Sequence, residues 1–398
     1  MRWNMKRQTG FLYLFEALLS FRMIDAVWVI FLLERGYSLT QVGIAEGVMH
    51  MASLICEIPT GMAADLFGRK RTLMFAGIAG MCFGILMGMD GWSGWVYVGM
   101  VFSALSYNLA SGTQEALVYD SLLEAGQEDR YRKVWSGINV TGRISRAAAC
   151  ALSPAAIAIG YRYTYGITAI LCLGAAFLMT GVHEPIVTEA QRNRKQYRLC
   201  EAWERIRDHT ADTFRFIRSH PRTMCKIFAD AAISCPCYLI LMYLQEHLVN
   251  CGWPKSLIGI PILLISVAGA AGSYLSGRYS MTIRKTVFVC GLVSGIGTFL
   301  AGSSMIPVIL LGACAVQISE GFSFIAISEN VNHDFTSDQR ATLVSVDSMM
   351  YSLLMVAASP ITGFFGSRYG AASPFYLLGG ILAVGAAAYG IIIKKVRE

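Results

Sequence analysis

The residues of this chain that could do chemistry are ionisable side chains inside long apolar segments. A charge within a bilayer is costly, so each of them needs a partner, a proton or a water-filled cavity, and each is a candidate for a substrate or ion path. Acids outnumber bases, which favours the binding of protons or cations. The acids are Glu16, Asp25, Glu46, Glu57, Glu115, Asp230, Glu246, Glu320, Glu329 and Asp347, and the bases are Arg22, Arg143, Arg146 and Lys226.

One apolar segment carries a complete polar stripe. Glu46, His50, Ser53 and Glu57 follow one another at offsets of 4, 3 and 4, which places them on one face of a helix. The side chain of His50 is interpreted either as a proton relay with Glu46 or as a hydrogen-bonded packing residue. The spacing leaves both interpretations open.

Two further segments show helical spacing of polar residues. Arg22 and Asp25 are three residues apart, which predicts one helix face near mid-membrane. Asn108, Ser111 and Glu115 are expected to share one face of another helix. Structural pairing is the alternative role for such charges. The expected pairs are then Arg22 with Asp25 or Glu115, Arg143 with Glu115, and Arg146 with Asp120.

The elements that must position these residues are membrane-spanning helices. The chain has 398 residues, of which 55% are hydrophobic and 15% charged, and its mean hydropathy is +0.50. This composition is too apolar for a soluble globular protein, and apolar runs of about twenty residues match the length of a membrane-spanning helix. We therefore predict an all-α membrane protein with twelve transmembrane helices, at about 11–33, 40–61, 71–89, 93–120, 133–158, 165–182, 223–248, 257–277, 285–303, 307–331, 341–366 and 374–393.

The basic residues between these segments predict the orientation of the chain. Of the Lys and Arg residues outside the apolar segments, 25 fall on one predicted side of the membrane and 4 on the other. Because cytoplasmic loops carry the excess of Lys and Arg, both termini are expected in the cytoplasm. The net charge of +7 then reflects topology, and no binding to nucleic acid is expected.

An internal repeat predicts two halves. The pair Ser153-Pro154 returns as Ser359-Pro360, at an offset of 206 residues. Such a repeat indicates two pseudo-symmetric six-helix bundles within one polypeptide. The bundles are expected at 1–183 and 223–398, joined by a cytoplasmic linker at 184–222.

The linker is polar and charged, with apolar residues at helical spacing. This pattern predicts an amphipathic helix on the membrane surface, and a fully solvated linker is the alternative. The apolar positions are Trp203, Ile206, Thr210, Phe214 and Ile217.

The short connector between the second and third segments carries the most specific motif. It reads Gly61-Met-Ala-Ala-Asp65-Leu-Phe-Gly68-Arg69-Lys70-Arg71. This spacing resembles the signature loop of the major facilitator superfamily, in which the aspartate and the first arginine belong to a cytoplasmic charge latch. The resemblance implies a conformational latch formed by Gly61, Asp65, Gly68 and Arg69.

The same resemblance implies a central cavity lined by helices one, four, seven and ten. In this chain the polar residues of those helices are Arg22, Asp25, Asn108, Glu115, Asp230 and Glu320. The runs at 57–61 and 115–121 resemble a bacterial branch of exporters related to tetracycline and macrolide efflux pumps.

Three functions are compatible with these patterns. The leading hypothesis is proton-coupled efflux of an amphipathic, cationic small organic compound by alternating access. The second is proton-coupled uptake of a small nutrient or organic anion, in which Arg22 or Arg143 would bind a substrate carboxylate. The third is a non-transporting membrane sensor or lipid-handling scaffold.

The chain is not expected to be an enzyme, because it has neither a nucleotide-binding loop nor a hydrolase motif. No cofactor is expected beyond a proton gradient. The expected partners are a small-molecule substrate and the lipid bilayer, with the protein as a monomer. The residues predicted to bind substrate or protons are Arg22, Asp25, Glu46, His50, Asn108, Glu115, Arg143, Asp230 and Glu320.

Overall fold

Helices make up the regular structure of the chain. The computed structural model describes residues 4–187, 207, 215–333 and 337–395, and those ranges contain no strand. A helix satisfies its own backbone N–H and C=O groups, as a chain in lipid requires. The α-helices are α1 (Met5–Ser20), α2 (Trp28–Glu34), α3 (Leu39–Phe67), α4 (Arg69–Gly88), α5 (Gly94–Ala110), α6 (Thr113–Glu124), α7 (Tyr131–Ala151), α8 (Ser153–Ile159), α9 (Tyr161–Leu178), α10 (Pro221–Asn250), α11 (Gly259–Ser276), α12 (Ile283–Ala301), α13 (Ile306–His333), α14 (Ser337–Tyr369) and α15 (Ser373–Lys395).

Within the described residues, 8 helices are long and apolar enough to cross a membrane. Large apolar side chains project from their surfaces; Ile170 and Phe177 on α9 are 70% and 74% exposed, and Leu311 on α13 is 66% exposed. Such side chains suit contact with lipid rather than water. The chain is therefore an all-α membrane protein, as predicted. The helices that meet the criterion are α3, α4, α9, α10, α11, α12, α13 and α14.

Three of the predicted segments are interrupted, so the expectation of one continuous helix is wrong for 11–33, 93–120 and 133–158. The interruptions lie between α1 and α2, between α5 and α6, and between α7 and α8. These segments hold many of the internal charges, including the pair Arg22 and Asp25. The twelfth segment is one continuous helix, and α15 (Ser373–Lys395) covers the predicted range 374–393.

Local residue types explain two of the interruptions. Gly112, between α5 and α6, has φ 69°, a left-handed conformation that a continuing helix does not use. Pro154 lies in the first turn of α8, where a missing N–H is tolerated, whereas inside a longer helix its ring would clash with the preceding turn. The first interruption coincides with Arg22 and Asp25 themselves.

The chain divides into two compact units. Unit 1 contains Met1–Asp25 and Met51–Phe214, and unit 2 contains Ala26–His50 and Arg215–Glu398. α2 and the first part of α3 therefore pack with unit 2, although the rest of α3 belongs to unit 1. The functional division into bundles at 1–183 and 223–398 stays a prediction.

Unit 1 has an apolar core in which small residues allow close helix contacts. Leu12, Phe15 and Leu73 are fully buried in it. α4 approaches α9 so closely that a Cβ added at Gly84 would lie 2.8 Å from the backbone nitrogen of Ala169. Small residues at such positions are typical of helix packing in membranes.

Unit 2 packs residues 39–50 of α3 against α14. A Cβ added at Gly43 would clash with the carbonyl oxygen of Ser359. The hydroxyl of Tyr243 on α10 donates a hydrogen bond to that same carbonyl oxygen at 3.1 Å. Farther along, the hydroxyl of Thr40 donates to the hydroxyl of Ser367 at 2.9 Å. The helices α3, α10 and α14 thus meet at the carbonyl group of Ser359.

The predicted amphipathic helix of the linker falls largely outside the described residues, which exclude Trp203, Ile206, Thr210 and Phe214. Ile217 is described, and it packs against an apolar core of unit 2 that contains Ile227 and Leu343. The membrane-surface helix stays a prediction.

Candidate functional site

The connector predicted at 61–71 is shorter in the structure, because α3 continues to Phe67 and only Gly68 separates it from α4. Gly68 has φ 94°, a conformation that explains the glycine at this position. Gly61 differs, because a Cβ added there would meet no atom within 4 Å. The backbone conformation therefore favours a glycine at 68, whereas packing does not require one at 61.

Arg69 is held in unit 1 through both its side chain and its backbone. The guanidinium pairs with the buried carboxylate of Asp120 and donates a hydrogen bond to the carbonyl oxygen of Ala116. The backbone N–H groups of Arg69 and Lys70 donate to the two oxygens of Glu184 at 2.9 and 2.7 Å. A carboxylate at this place satisfies free N–H groups of the first turn of α4 and complements the helix dipole.

This arrangement brings two acidic residues to the signature loop. The ion pair that the structure shows for Asp120 is with Arg69, whereas Arg146 was the expected partner. Asp120 and Glu184 are distant from the motif in sequence, and only their charge could have suggested a role. The side chain of Asp65 lies outside the described part of the structure, so its share in the latch stays a prediction.

Arg22 and Asp25 do not share one face of a continuous helix, contrary to the sequence-based expectation. α1 ends at Ser20, and a 3-10 turn at Met23–Ala26 follows. The guanidinium of Arg22 lies over the ring of Phe83, 5.4 Å from its centroid, in a cation–π contact. Asp25 is exposed. Both charges therefore lie at an interrupted helix, the position at which transporters expose polar groups to substrate or ions.

Asn108 and Glu115 are separated by the interruption at Gly112, so the expected common face is absent there. Asn108 is buried and forms two hydrogen bonds with Ser53, each 2.8 Å long. The Ser53 hydroxyl donates to Asn108 Oδ1, and Asn108 Nδ2 donates to the carbonyl oxygen of Ser53. Glu115 is exposed, and its Oε1 accepts a hydrogen bond from the Tyr131 hydroxyl at 2.6 Å. The hydrogen-bond partner of Glu115 is thus Tyr131, whereas Arg143 was expected.

Arg143 and Arg146 lie on exposed positions of α7. Arg146 acts electrostatically on the thiol of Cys150, as does the carboxylate of Asp25. Asp25 also acts on the thiol of Cys172, together with Arg22. The internal charges of unit 1 are therefore mixed in sign.

Glu46 and His50 form a buried pair in unit 2. They are 2% and 8% exposed, and His50 Nε2 lies 3.3 Å from Glu46 Oε1, although the geometry there is not that of a hydrogen bond. The other ring nitrogen of His50 lies 3.5 Å from the Ser352 hydroxyl. The edge of the Tyr351 ring contacts the imidazole, with ring centroids 5.5 Å apart. The helical stripe on α3 is confirmed as continuous helix, and its first two members face α14.

Two acidic residues of unit 2 line one cavity. Asp230 on α10 is buried, and Asp347 comes from α14. Glu320 lies on α13 and is not part of the wall of this cavity. Asp347 was not among the predicted site residues.

The predicted cavity lining falls into two sets. Arg22, Asp25, Asn108 and Glu115 lie in unit 1, and Asp230 and Glu320 lie in unit 2. Their convergence on one central cavity stays a prediction. In the described ranges, no three His, Cys, Asp or Glu side chains have the arrangement of a metal site.

An all-helical membrane protein with an internal repeat and with charges at interrupted helices has the organisation of a secondary transporter. The sequence profile of the Major Facilitator Superfamily matches residues 10–283 and 223–397. This chain belongs to that superfamily.

The comparisons with individual proteins agree with this assignment. The uncharacterized MFS-type transporter YxaM of Bacillus subtilis (strain 168) is 20% identical over 97% of this chain and 96% of its own length. The chain is a transporter of this type rather than an enzyme.

Solved structures of transporters share the fold. The nucleoside transporter NupG has a TM-score of 0.77 at 14% identity, covering 99% of this chain and 100% of that one. A peptide transporter POT in complex with sulfate has a TM-score of 0.70 at 13% identity, covering 98% and 94%. A D-xylose-proton symporter has a TM-score of 0.66 at 12% identity, covering 96% and 95%.

Proposed function

We propose that this transporter exchanges protons for an amphipathic organic cation and exports that cation. The observation that carries the proposal is the charge around Asp230. Its side chain is 7% exposed, its Oδ1 has no hydrogen-bond partner among the described residues, and the carboxylate of Asp347 lines the same cavity. A cationic ligand would compensate this negative charge, whereas an anionic ligand would add to it.

A proton compensates the same site when no cation is bound. Neighbouring carboxylates in a poorly solvated place retain protons because ionising all of them at once is unfavourable. A cation that enters displaces a proton, and a returning proton releases the cation. Competition for one set of carboxylates couples the two fluxes in opposite directions.

The Glu46–His50 pair is the best-placed second proton site. Glu46 is almost fully buried, and the group beside it is the imidazole of His50, 3.3 Å away, which can exchange a proton with a carboxylate. Glu115 is a weaker choice for this role, because it is exposed and already bound by the Tyr131 hydroxyl. The outward direction rests on the resemblance of residues 57–61 and 115–121 to exporters.

Proteoliposomes test the proposal with benzyltrimethylammonium, a permanent cation that cannot cross the bilayer as a neutral base. We expect an imposed pH gradient to drive its movement against the proton flux, and a collapsed gradient to leave only exchange of labelled for unlabelled cation. Movement of the cation together with protons would contradict export by exchange, and no cation flux in either arm would contradict the cationic substrate.

Uptake of an organic anion is the second candidate. It is supported by Arg22, whose guanidinium stands at the interruption between α1 and α2, and by Arg143, which is exposed on α7. The fold is shared with proteins named as nucleoside, peptide and sugar–proton transporters. Phenylacetate in the same proteoliposomes tests it, since this candidate requires accumulation of the anion together with protons and loss of that flux in Arg22→Gln.

A further inference from the structure

Unit 2 contains a cavity between α10, α13 and α14. Its volume is about 180 Å³. Two carboxylates, Asp230 and Asp347, and the hydroxyl of Ser328 provide its polar groups. Apolar side chains form the rest of the wall, namely Ile227, Phe324, Ile327, Val331, Leu343 and Val344.

Asp230 has unused binding capacity in this cavity. The side chain is 93% buried, as its 7% exposure implies, and its Oδ1 has no hydrogen-bond partner among the described residues. A buried carboxylate oxygen without a donor is unfavourable, so a ligand that donates to it or carries positive charge stabilises the site. Asp347 comes from a different helix and adds a second negative charge to the same wall.

We infer that this cavity binds a small organic ammonium ion, with the ammonium between Asp230 and Asp347 and the hydrocarbon part against the apolar wall. The inference rests on the proposed function only for its link to transport. A cavity of about 150 Å³ with apolar walls can hold a benzene ring, so this one accommodates a single ring or a short alkyl chain with one ammonium. A bare metal ion fits poorly, since it needs several oxygen ligands and most of this wall is hydrocarbon.

The cavity opens where its wall is exposed. Phe324 and Val344 are 46% and 61% exposed, whereas Ile227 and Ile327 are each 2% exposed and form the floor with Asp230. Asp230 lies about 14 Å along α10 from Pro221, at 1.5 Å per residue. The first residue of α10 is on the predicted cytoplasmic side, so the cavity suits a cation that arrives from that side.

Two other charged groups lie near the cavity and must be considered. Glu320 acts on Asp230 but does not line the cavity, and it adds to the negative potential. Lys226 lies one turn before Asp230 on α10, and it too is not part of the wall.

Equilibrium binding to the purified full chain, without any gradient, tests the inference. The probe is benzylamine, an ammonium ion at neutral pH, and benzyl alcohol is its neutral match in shape. We expect benzylamine to bind the wild-type protein more tightly than benzyl alcohol. Asp230→Asn and Asp347→Asn should each weaken benzylamine binding by about tenfold or more, which is typical of a lost charge-assisted hydrogen bond.

Matched variants separate charge from general damage. Glu329→Gln removes a carboxylate next to Ser328 on α13 that does not line the cavity, and it should leave binding unchanged. Val344→Trp should block the opening without disturbing the floor, because Val344 is exposed. Val384→Trp adds the same bulk at a 70% exposed site of α15 and serves as its control.

The outcomes distinguish the cavity from the transport proposal. Equal affinity for benzylamine and benzyl alcohol, or wild-type benzylamine binding in Val344→Trp and both Asp variants, would overturn the cavity as an ammonium site. Proton-driven cation flux that persists in those variants would leave the proposed function standing without this site. Benzylamine binding that depends on both acids, in a protein without proton-driven flux, would retain the site and remove the proposed function.

Discussion

Unit 1 and unit 2 treat their internal charges differently. In unit 1, Asp120 pairs with Arg69, and the Glu115 carboxylate accepts a hydrogen bond from the Tyr131 hydroxyl. In unit 2, the buried Asp230 lines a cavity together with Asp347, and the base beside Glu46 is the imidazole of His50. The first arrangement holds helices together, and the second leaves negative charge for a proton or a ligand.

Under the proposed function, the difference separates charges that stabilise the fold from charges that bind a proton or a ligand. A buried pair is strongly destabilising to break but does not change its occupancy during a transport cycle. A carboxylate that has no permanent cationic partner binds and releases a proton or a cation. Proton-coupled transport requires such binding and release. Removing charge should therefore harm stability in unit 1 and transport in unit 2.

The largest effect is expected for Glu46→Gln. Because a glutamine cannot release a proton, gradient-driven flux of benzyltrimethylammonium should fall to the level of empty liposomes, while exchange of labelled for unlabelled cation continues. Flux assays in proteoliposomes measure both. Glu115→Gln is the unit 1 counterpart and should retain driven flux; if it alone abolished driven flux, the assignment of the proton-binding charges to unit 2 would be reversed.

A large loss of stability is expected for Arg69→Ala. This change leaves the buried Asp120 without its partner, and breaking a buried ion pair in this way costs about 3–5 kcal/mol. Thermal unfolding of the purified protein should show a clear fall in Tm. Arg71→Ala, at an exposed position of the same turn, is the control and should leave Tm nearly unchanged. A fall of equal size in both variants would argue against a special role for the Arg69–Asp120 pair.

A moderate effect is expected for Gly43→Val, which tests how closely unit 2 packs residues 39–50 against α14. The new side chain would meet the carbonyl oxygen of Ser359, and overpacking of this kind costs about 1–3 kcal/mol. Gly61→Ala on the same helix has open space and should be neutral or slightly stabilising. Thermal unfolding of the two variants side by side measures the difference in Tm. A Gly43→Val protein as stable as Gly61→Ala would show that the helices can move apart at this contact at little cost in stability.

The smallest effect is expected for Arg162→Ala. Arg162 pairs with Asp90 at 3.3 Å, but the two side chains are 65% and 46% exposed. Exposed pairs contribute about 0–1 kcal/mol because water and salt screen them. A double-mutant cycle with Asp90→Asn, followed by thermal unfolding at low and high salt, measures the coupling. A coupling energy between Arg162 and Asp90 as large as that between Arg69 and Asp120 would mean that burial does not explain the expected order of these effects on stability.

The amino-acid sequence by itself determined the class of protein and its most specific local feature. Composition and the length of apolar runs predict membrane helices, since each helix satisfies its backbone within its own segment. The connector at Gly68 follows from local backbone preference, and the structure has that single-residue turn. The polar stripe that begins at Glu46 is helical as predicted, because its period is a property of one continuous segment.

Only the tertiary structure decided which charges meet. Asp120 could pair with several arginines by spacing alone, and the packing of α4 beside α6 selects Arg69. The assignment of residues 26–50 to unit 2 likewise depends on contacts with α14, far away in sequence. The cavity that joins Asp230 to Asp347 exists only because three helices pack around it. Pairing between distant residues depends on how helices are placed side by side, and the periodicity of a single helix carries no information about its neighbours.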